Sequence, residues 1–181
     1  ARLQAIRLGE LDLLAAEKAA VQGALYDGRL VLTDDPADVA RAAAVIVCVP
    51  TPVDDHLTPD LRAITAACGE VVRHARAGQT LILTSPSYVG SSQDLLVEPL
   101  TERGFEVGVD VHVAFSPERI DPGNTTHPQH TVPRVLGGAT PRCALAAQAV
   151  IGRVAPSVHI VDNLETAELT KLYENSFRAV N

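Results

Sequence analysis

The chain has 181 residues, of which 46% are apolar and 20% charged, enough for one hydrophobic core and the start of a second domain. Its formal net charge of −7 and its pI near 5.3 argue against a nucleic-acid partner, which would need a basic surface. No apolar run approaches the roughly 18 residues that cross a membrane, and the opening ARLQAIRLGE lacks the apolar centre of a signal peptide. We therefore expect a cytoplasmic protein without a membrane partner.

Short apolar or β-branched runs alternate along the chain with Ala-rich segments of helical period. This alternation predicts βαβ units, and therefore an α/β fold with a parallel sheet buried on both faces. The predicted strands, in chain order, are RLVLT (29–33), AVIVCVP (44–50), QTLILTS (79–85), VDVHVAFS (109–116), PRVLGG (133–138) and SVHIVD (157–162).

Helices are predicted between these strands. Apolar residues recur three and four apart around residues 10–28 and 60–77, which is the pattern of crossover helices. Asp35, Pro36 and Asp38 predict another helix start, because Asp caps free N–H groups and Pro suits the first helical turn.

Two further helices are predicted near the end of the chain. One covers about 140–153, with Thr140 as its N-cap and Pro141 at its first position. The other, residues 164–181, is amphipathic and has no stop signal. A doubly wound nucleotide-binding sheet normally begins with a strand and a G-x-G-x-x-G turn, and neither is found here. We therefore expect that the chain is truncated at both ends.

The cysteines and histidines indicate no metal site. Cys48, Cys68 and Cys143 are odd in number, widely spaced and set among Ala and Val, which predicts buried, reduced thiols. The six histidines lack metal-ligand spacing.

The first candidate site follows the strand that ends near residue 50. Pro50 and Pro52 fix the backbone there and hold the Thr51 hydroxyl at the carboxyl edge of the sheet, where open α/β sheets bind ligands. On spacing alone, a Pro-x-Pro pair is equally compatible with a rigid loop.

The second candidate site follows the next strand. Ser85, Ser87, Ser91 and Ser92 surround Gly90 just before a predicted helix, so hydroxyls and free helix N–H groups converge there. A phosphate, a ribose or a nicotinamide amide would fit such a group. The alternative is ordinary capping by Ser91 or Ser92.

The third candidate site is SPERIDPGN (116–124), which again follows a predicted strand. It delivers the carboxylate of Glu118 and the guanidinium of Arg119 to the sheet. Three successive polar strand ends in register predict a ligand crevice.

The last predicted helix contributes a fourth group. Glu168, Lys171 and Asn175 lie three and four residues apart and therefore share one helical face. Lys171 and Asn175 could point inward. The alternative is a solvated lysine, with Glu168 and Glu174 in surface ion pairs.

Together these motifs resemble the nucleotide-sugar 6-dehydrogenase family, which includes the UDP-glucose and UDP-N-acetylhexosamine dehydrogenases. The resemblance covers most of the chain and rests on VIVCVPTPVD, SYVGSSQDLL, SPERIDPGN, HTVPRVLGG and AELTKLYENSFRAVN, in the order and at about the spacing of that family. SPERIDPGN is most similar to the branch that acts on UDP-N-acetylhexosamines. The resemblance implies a Rossmann-like NAD-binding domain over residues 1–162 that lacks its first βαβ part, followed at 163–181 by the start of a central dimerisation helix.

The resemblance also implies cofactor contacts. NAD would lie against Pro50 and Thr51, and Ser85 falls in the hydroxyl-bearing turn that contacts the cofactor and a catalytic water. Glu118 belongs to the same group and resembles the glutamate that helps to activate that water. A carboxylate within reach of a water molecule can act as its base.

Catalytic and substrate-binding roles follow by the same resemblance. Lys171 resembles the lysine that stabilises an alkoxide or oxyanion, because it offers charge where charge develops. Asn175 resembles its hydrogen-bonding partner. The UDP-sugar would contact Glu118, Arg119, Ile120, Lys171 and Asn175.

The implied reaction is oxidation of the C6 alcohol of a UDP-N-acetylhexosamine to the uronic acid. The family also uses a glycine-rich turn and a catalytic cysteine, and neither is matched here. We therefore expect no turnover by this chain alone, and association as a homo-oligomer or completion by another chain. The alternative is a non-catalytic nucleotide-binding or assembly module derived from the family.

Overall fold

A computed structural model describes residues 2–10, 13–52, 59–85, 87–118 and 132–180, with side chains to residue 177. The chain divides into two compact units, Ala1–Asp38 and Val39–Asn181. In the described part of the chain, no helix has both the length and the apolar character needed to span a membrane.

The first unit contains two helices, α1 (Arg2–Arg7) and α2 (Ala15–Tyr26), so the helix predicted around 10–28 is confirmed over most of its length. The α2 helix begins where the Leu14 N–H donates to the Glu17 carboxylate at 3.0 Å. The Gln22 side-chain amide donates to the Ile6 carbonyl oxygen at 2.9 Å and so joins the two helices.

The strand predicted at 29–33 is wrong. This segment folds back on α2, because the Leu30 N–H donates to the Ala24 carbonyl oxygen at 2.8 Å. The Arg7 guanidinium donates a hydrogen bond to the Leu32 carbonyl oxygen at 3.3 Å. An apolar run becomes a strand only when a neighbouring strand pairs with it through backbone hydrogen bonds, and no strand is present among the described residues of this unit.

The second unit is an α/β sheet with helices on both faces, so the predicted fold class is confirmed. Its described residues form one sheet in the order β1 (Ala44–Val47), β2 (Thr80–Leu83), β3 (His112–Phe115), β4 (Arg134–Gly138) and β5 (Val158–Val161). The other five predicted strands are thereby confirmed.

The direction of β4 corrects the prediction of a wholly parallel sheet. The β1–β2, β2–β3 and β4–β5 pairs are parallel, whereas β3 and β4 are antiparallel, with Phe115 opposite Gly137. A parallel connection needs a crossover of a dozen or more residues, usually a helix, and the sequence between β3 and β4 has no helical period. With this direction, Arg134 at the start of β4 lies beside the residues that follow β3, and its guanidinium contacts the Glu118 carboxylate at 2.8 Å.

Helices cover the sheet on both sides. They are α3 (Arg62–His74), α4 (Glu98–Glu102), α5 (Pro141–Ile151) and α6 (Leu164–Val180), together with a π-helical turn at Gln93–Val97 that leads into α4. A 3₁₀ helix lies before the sheet in the chain, at Pro36–Arg41. The predicted cap of α5 is confirmed, since the Cys143 N–H donates to the Thr140 hydroxyl at 3.2 Å. The predicted helix start at Asp35 opens a 3₁₀ helix, in which the Ala37 N–H donates to the Asp35 carboxylate at 2.9 Å.

The core has one layer on each face of the sheet. Leu81 and Leu83 belong to the core layer that contains residues of α3 and α6, whereas Ile82 between them belongs to the layer under α5, which is the period-2 alternation of a strand buried on both sides. Burying side chains of this size stabilises the fold by about 1.5–3 kcal/mol each.

The Gly137-Gly138 pair lets two helices approach β4. A Cβ atom at Gly137 would overlap the Asn163 carbonyl oxygen and come within 2.9 Å of the Ala167 Cβ. A Cβ atom at Gly138 would overlap the backbone of Ala144 in α5. The pair therefore serves packing, and it seats the start of α6 directly on the sheet.

The cysteines follow the prediction in two cases out of three. Cys68 and Cys143 are buried and reduced, and burial raises the pKa of the Cys68 thiol to about 11. Cys48 is exposed, so the burial predicted for it is wrong. It follows the buried Val47 at the end of β1, and successive side chains of an extended segment point to opposite faces. No cluster of described side chains could hold a metal ion.

Candidate functional site

The ends of β1 and β2 are tied together by two hydroxyls. The Thr84 hydroxyl donates to the Val47 carbonyl oxygen at 2.9 Å, and the Ser85 hydroxyl accepts from the Val49 N–H at 2.7 Å. Thr84 and Ser85 are both buried, at 6% and 3% exposure. Ser85 therefore supports the segment from which Pro50 and Thr51 extend.

Pro50 and Thr51 lie where the prediction placed them, just beyond the carboxyl end of β1. Val47 pairs with Leu83, so the two segments that follow these residues leave the sheet at the same edge. Pro50 is exposed and Thr51 is half-buried. The structure thus brings Pro50, Thr51 and Ser85 to one edge.

The serine turn after β2 is occupied by a carboxylate of the same chain. Glu168 of α6 accepts hydrogen bonds from the Gly90 N–H at 2.6 Å and the Ser92 N–H at 2.8 Å. It also accepts from the hydroxyls of Ser92 at 2.7 Å and Ser91 at 3.1 Å. The ligand role predicted for Gly90, Ser91 and Ser92 is therefore wrong, because an internal anion already uses these donors.

The burial of Glu168 contradicts the alternative in which this residue forms a surface ion pair on α6. It is 3% exposed and takes part in no surface ion pair among the described contacts. Gly90 has φ +99°, a left-handed conformation that glycine adopts without strain, and this turn presents its N–H to the carboxylate. Partial burial, the hydrogen bond to Asp94 and the nearby Glu168 carboxylate raise the pKa of Tyr88 to about 12.

One hydroxyl in this turn lacks a partner. Ser87 Oγ is buried and forms no hydrogen bond with the described residues, as is also true of His112 Nδ1 at the start of β3. Buried polar atoms are normally paired, so an unpaired one needs an explanation. Ser87 lies two residues beyond Ser85, in the turn for which the sequence predicts cofactor contacts, and an oxygen or nitrogen atom of a bound nucleotide would satisfy it once the atoms that cover it move aside.

The end of β3 presents Glu118 between two cations. The Glu118 carboxylate accepts from Arg134 at 2.8 Å, and the same guanidinium nitrogen donates to the Pro117 carbonyl oxygen at 3.2 Å. From α6, the Lys171 ammonium donates to the Glu118 carbonyl oxygen at 2.6 Å. Glu118 is therefore contacted through its side chain and through its main chain.

Lys171 is accordingly not the solvated lysine of the alternative interpretation. It is half-buried, and Asn175 lies one turn further along α6 and is half-buried too. The structure thus brings together Glu118 and Lys171 from residues far apart in sequence, with Asn175 on the adjoining turn. Arg119 and Ile120 lie outside the described residues.

The sequence offered little signal for two members of this site. Arg134 was missed because its position depends on the antiparallel register of β4. The burial of Glu168 is not predicted by the helical spacing, because an isolated carboxylate is rarely buried. A partial signal did exist, since the start of a helix leaves backbone N–H donors that a carboxylate from another segment can accept.

The arrangement has definite chemical capacities. An ammonium held at the sheet edge can stabilise negative charge on a substrate oxygen, and a carboxylate there can accept a proton from water. Arg134 places a permanent positive charge beside Glu118, at 13% exposure of its own side chain.

A sheet covered by helices on both faces, with polar strand ends along its carboxyl edge, defines the class of α/β nucleotide-binding proteins. Within that class the chain belongs to the UDP-glucose/GDP-mannose dehydrogenase family, whose NAD binding domain matches residues 2–154.

Individual relatives agree with this family. The chain is 36% identical over 179 residues to an NDP-N-acetyl-D-galactosaminuronic acid dehydrogenase of Ralstonia solanacearum, covering 95% of this chain and 40% of the relative. It is 34% identical over 183 residues to the UDP-N-acetyl-D-mannosamine dehydrogenase of Escherichia coli K12, covering 97% and 42%. The solved UDP-D-ManNAc dehydrogenase of Pyrococcus horikoshii superposes with a TM-score of 0.86 at 28% identity, covering 97% and 42%. The chain thus spans about two fifths of the length of these relatives.

Proposed function

We propose that this chain is the NAD-binding part of a nucleotide-sugar 6-dehydrogenase that oxidises the C6 alcohol of a UDP-N-acetylhexosamine to the uronic acid. The observation that carries the proposal is the contact between Lys171 and Glu118 at the carboxyl edge of the sheet. It joins the two residues to which the family resemblance gives the central chemical roles.

Three residues carry the proposed chemistry. Lys171 stabilises negative charge on the C6 oxygen as its proton is lost, and Asn175 donates a further hydrogen bond there. Glu118 accepts a proton from the water that completes the oxidation to an acid. Arg134 holds the Glu118 carboxylate in place for that step.

The proposed cofactor contacts are Pro50, Thr51, Ser85 and Glu118. When bound, NAD supplies the hydride acceptor. The unpaired Ser87 hydroxyl supports a ligand at this edge, since a cofactor atom would satisfy it.

The proposed substrate class rests on sequence similarity. The relatives include a UDP-N-acetyl-D-mannosamine dehydrogenase and a UDP-N-acetyl-D-glucosamine 6-dehydrogenase. The sugar nucleotide would contact Arg119 and Ile120 as well as Glu118, Lys171 and Asn175.

We further propose that residues 1–162 form the Rossmann-like domain, that 163–181 begin the central helix, and that these 181 residues do not turn over alone. The family reaction needs a cysteine nucleophile. Cys68 and Cys143 are buried, and Cys48 belongs to the end of β1, in a motif unlike that nucleophile. A cytoplasmic location is part of the same proposal.

Calorimetric titration with NAD tests the binding role. Heat at up to millimolar NAD supports it, and no heat contradicts it. The sharper variant is Ser87→Ala, which removes the unpaired hydroxyl and should weaken NAD binding by about two- to tenfold, the value of one hydrogen bond. Ser176→Ala is the matched control, because its hydroxyl bonds within α6 to the Leu172 carbonyl oxygen. Equal affinities for the two variants would remove Ser87 from the cofactor site.

Formation of NADH with UDP-N-acetylglucosamine tests whether this chain oxidises the sugar nucleotide. We expect none from the chain by itself, and measurable turnover would show that these 181 residues are sufficient.

One observation favours the alternative of an assembly module. Leu169, Tyr173 and Phe177 form a stripe along α6 and are 55%, 69% and 60% exposed. Such a stripe is typical of an association surface, either between two copies or with a chain that completes the domain. Phe177→Ser should therefore shift the sedimentation coefficient towards the monomer, whereas a wild-type chain that already sediments as a monomer contradicts self-association.

A further inference from the structure

The buried carboxylate of Glu168 ties α6 to the turn after β2. Its Oε2 accepts from the Gly90 N–H, and its Oε1 accepts from the Ser92 N–H and from both serine hydroxyls. A buried carboxylate is tolerated only where donors of this kind surround it. Because it is anchored in the turn after β2, α6 cannot rotate or slide without breaking these bonds.

Lys171 lies on the same face of α6, three residues further on. Residues at this spacing stand one above the other, about 5–6 Å apart. Glu168 contacts the turn after β2, and Lys171 contacts the Glu118 carbonyl oxygen after β3. The helix thus joins two neighbouring strand ends through consecutive turns.

We propose that Glu168 is a positioning residue for Lys171: its anchor in the serine turn sets the rotation of α6 that holds the ammonium against Glu118. The chemical importance of that position rests on the proposed function. The positioning of Lys171 by Glu168 does not depend on that function.

Glu168→Gln is the sharpest variant, because it keeps the shape of the side chain. A glutamine offers one oxygen and one NH₂ group, whereas Gly90 and Ser92 each present a backbone N–H to a different carboxylate oxygen. Whichever way the amide turns, its NH₂ faces one of these donors. The anchor therefore weakens without a cavity being made.

The chain itself provides the readout. It contains only two lysines, Lys18 on α2 and Lys171 on α6. Competitive acetylation with limiting reagent, followed by peptide mass spectrometry, gives the ratio of labelling at Lys171 to that at Lys18. In the wild-type chain this ratio should be below one: both lysines are half-buried, but the Lys171 ammonium also donates to the Glu118 carbonyl oxygen at 2.6 Å.

We expect Glu168→Gln to raise this ratio by about two- to tenfold, which corresponds to one hydrogen bond, and Ser92→Ala to raise it less. Glu165→Gln removes an exposed carboxylate from the same helix and should leave it unchanged. Ile151→Ala weakens the core beneath α5 and controls for general destabilisation. All variants are labelled at a temperature at which circular dichroism shows them folded.

An unchanged ratio in folded Glu168→Gln overturns the proposal, and so does an equal rise in Ile151→Ala. If Glu168→Gln does not fold, Ser92→Ala decides by the same ratio. Because acetylation needs neither NAD nor turnover, this result is independent of the titration and NADH experiments that test the proposed function.

Discussion

The turns after β2 and β3 begin from similar polar sequences and use them in opposite ways. After β2, Gly90, Ser91 and Ser92 all donate to Glu168, so their polarity is consumed in holding the fold. After β3, Glu118 keeps 32% of its side chain exposed beside Arg134, and its carbonyl oxygen accepts from Lys171. Polar composition at a strand end therefore predicts only that hydrogen bonds form there. Whether the partner is the protein or a ligand depends on what packs against the turn.

Removing the carboxylate of Glu168 should cost the most stability, and removing that of Glu118 should cost much less. Glu168→Ala should lower the free energy of unfolding by roughly 3 kcal/mol, since two backbone donors and two hydroxyls lose a buried acceptor. Glu118→Ala should lower it by only about 1 kcal/mol, because its ion pair is partly exposed. Urea denaturation of both variants measures the difference, and equal losses would erase the distinction between the two turns.

The seat of α6 beside both turns depends on Gly137. Gly137→Ala should lower the free energy of unfolding by about 2 kcal/mol, because the new methyl group overlaps the Asn163 carbonyl oxygen. Gly69→Ala in α3 is the matched control, since its Cβ meets nothing within 4 Å, and it should stabilise the chain by about 0.5–1 kcal/mol. Loss of stability in both variants, measured by the same denaturation, would mean that the close approach of α6 is not the cause.

The sequence predicted the parts of this arrangement that follow from local pattern. Short apolar runs that alternate with segments of helical period located five strands and the helices between them, and helical spacing placed Glu168 and Lys171 on one face. It did not predict Arg134 beside Glu118, because strand direction depends on a connection without local pattern. It did not predict the burial of Glu168, because that requires knowing which turn lies against α6.

The hydroxyls that join the ends of β1 and β2 should have smaller effects. Thr84→Val keeps the shape of the side chain but loses the bond to the Val47 carbonyl oxygen, and Ser85→Ala leaves the Val49 N–H without its acceptor. Each should lower the free energy of unfolding by about 1 kcal/mol. If both variants are neutral in thermal denaturation, these two hydrogen bonds do not contribute to stability.

The smallest expected effects concern the three thiols, which should differ in reactivity. At neutral pH, a thiol reagent should react with the exposed Cys48 and leave Cys68 and Cys143 unmodified. Because burial raises the pKa of Cys68 from 9.0 to about 11, its contribution to stability is complete below pH 9.0 and is lost as the pH rises through about 11. Cys68→Ala should remove this part of the loss of stability at alkaline pH. If stability falls with pH in the same way in Cys68→Ala, another group causes the loss.

We propose that Lys171 stands at the edge of the sheet where cofactor and sugar nucleotide bind. With only two lysines in the chain, selective isotope labelling gives one side-chain NMR signal for Lys171 and one for Lys18. Addition of NAD with UDP-N-acetylglucosamine should shift the Lys171 signal in a saturable way and leave Lys18 in place. A Lys171 signal that stays fixed at saturating ligand would mean that neither ligand binds beside this ammonium.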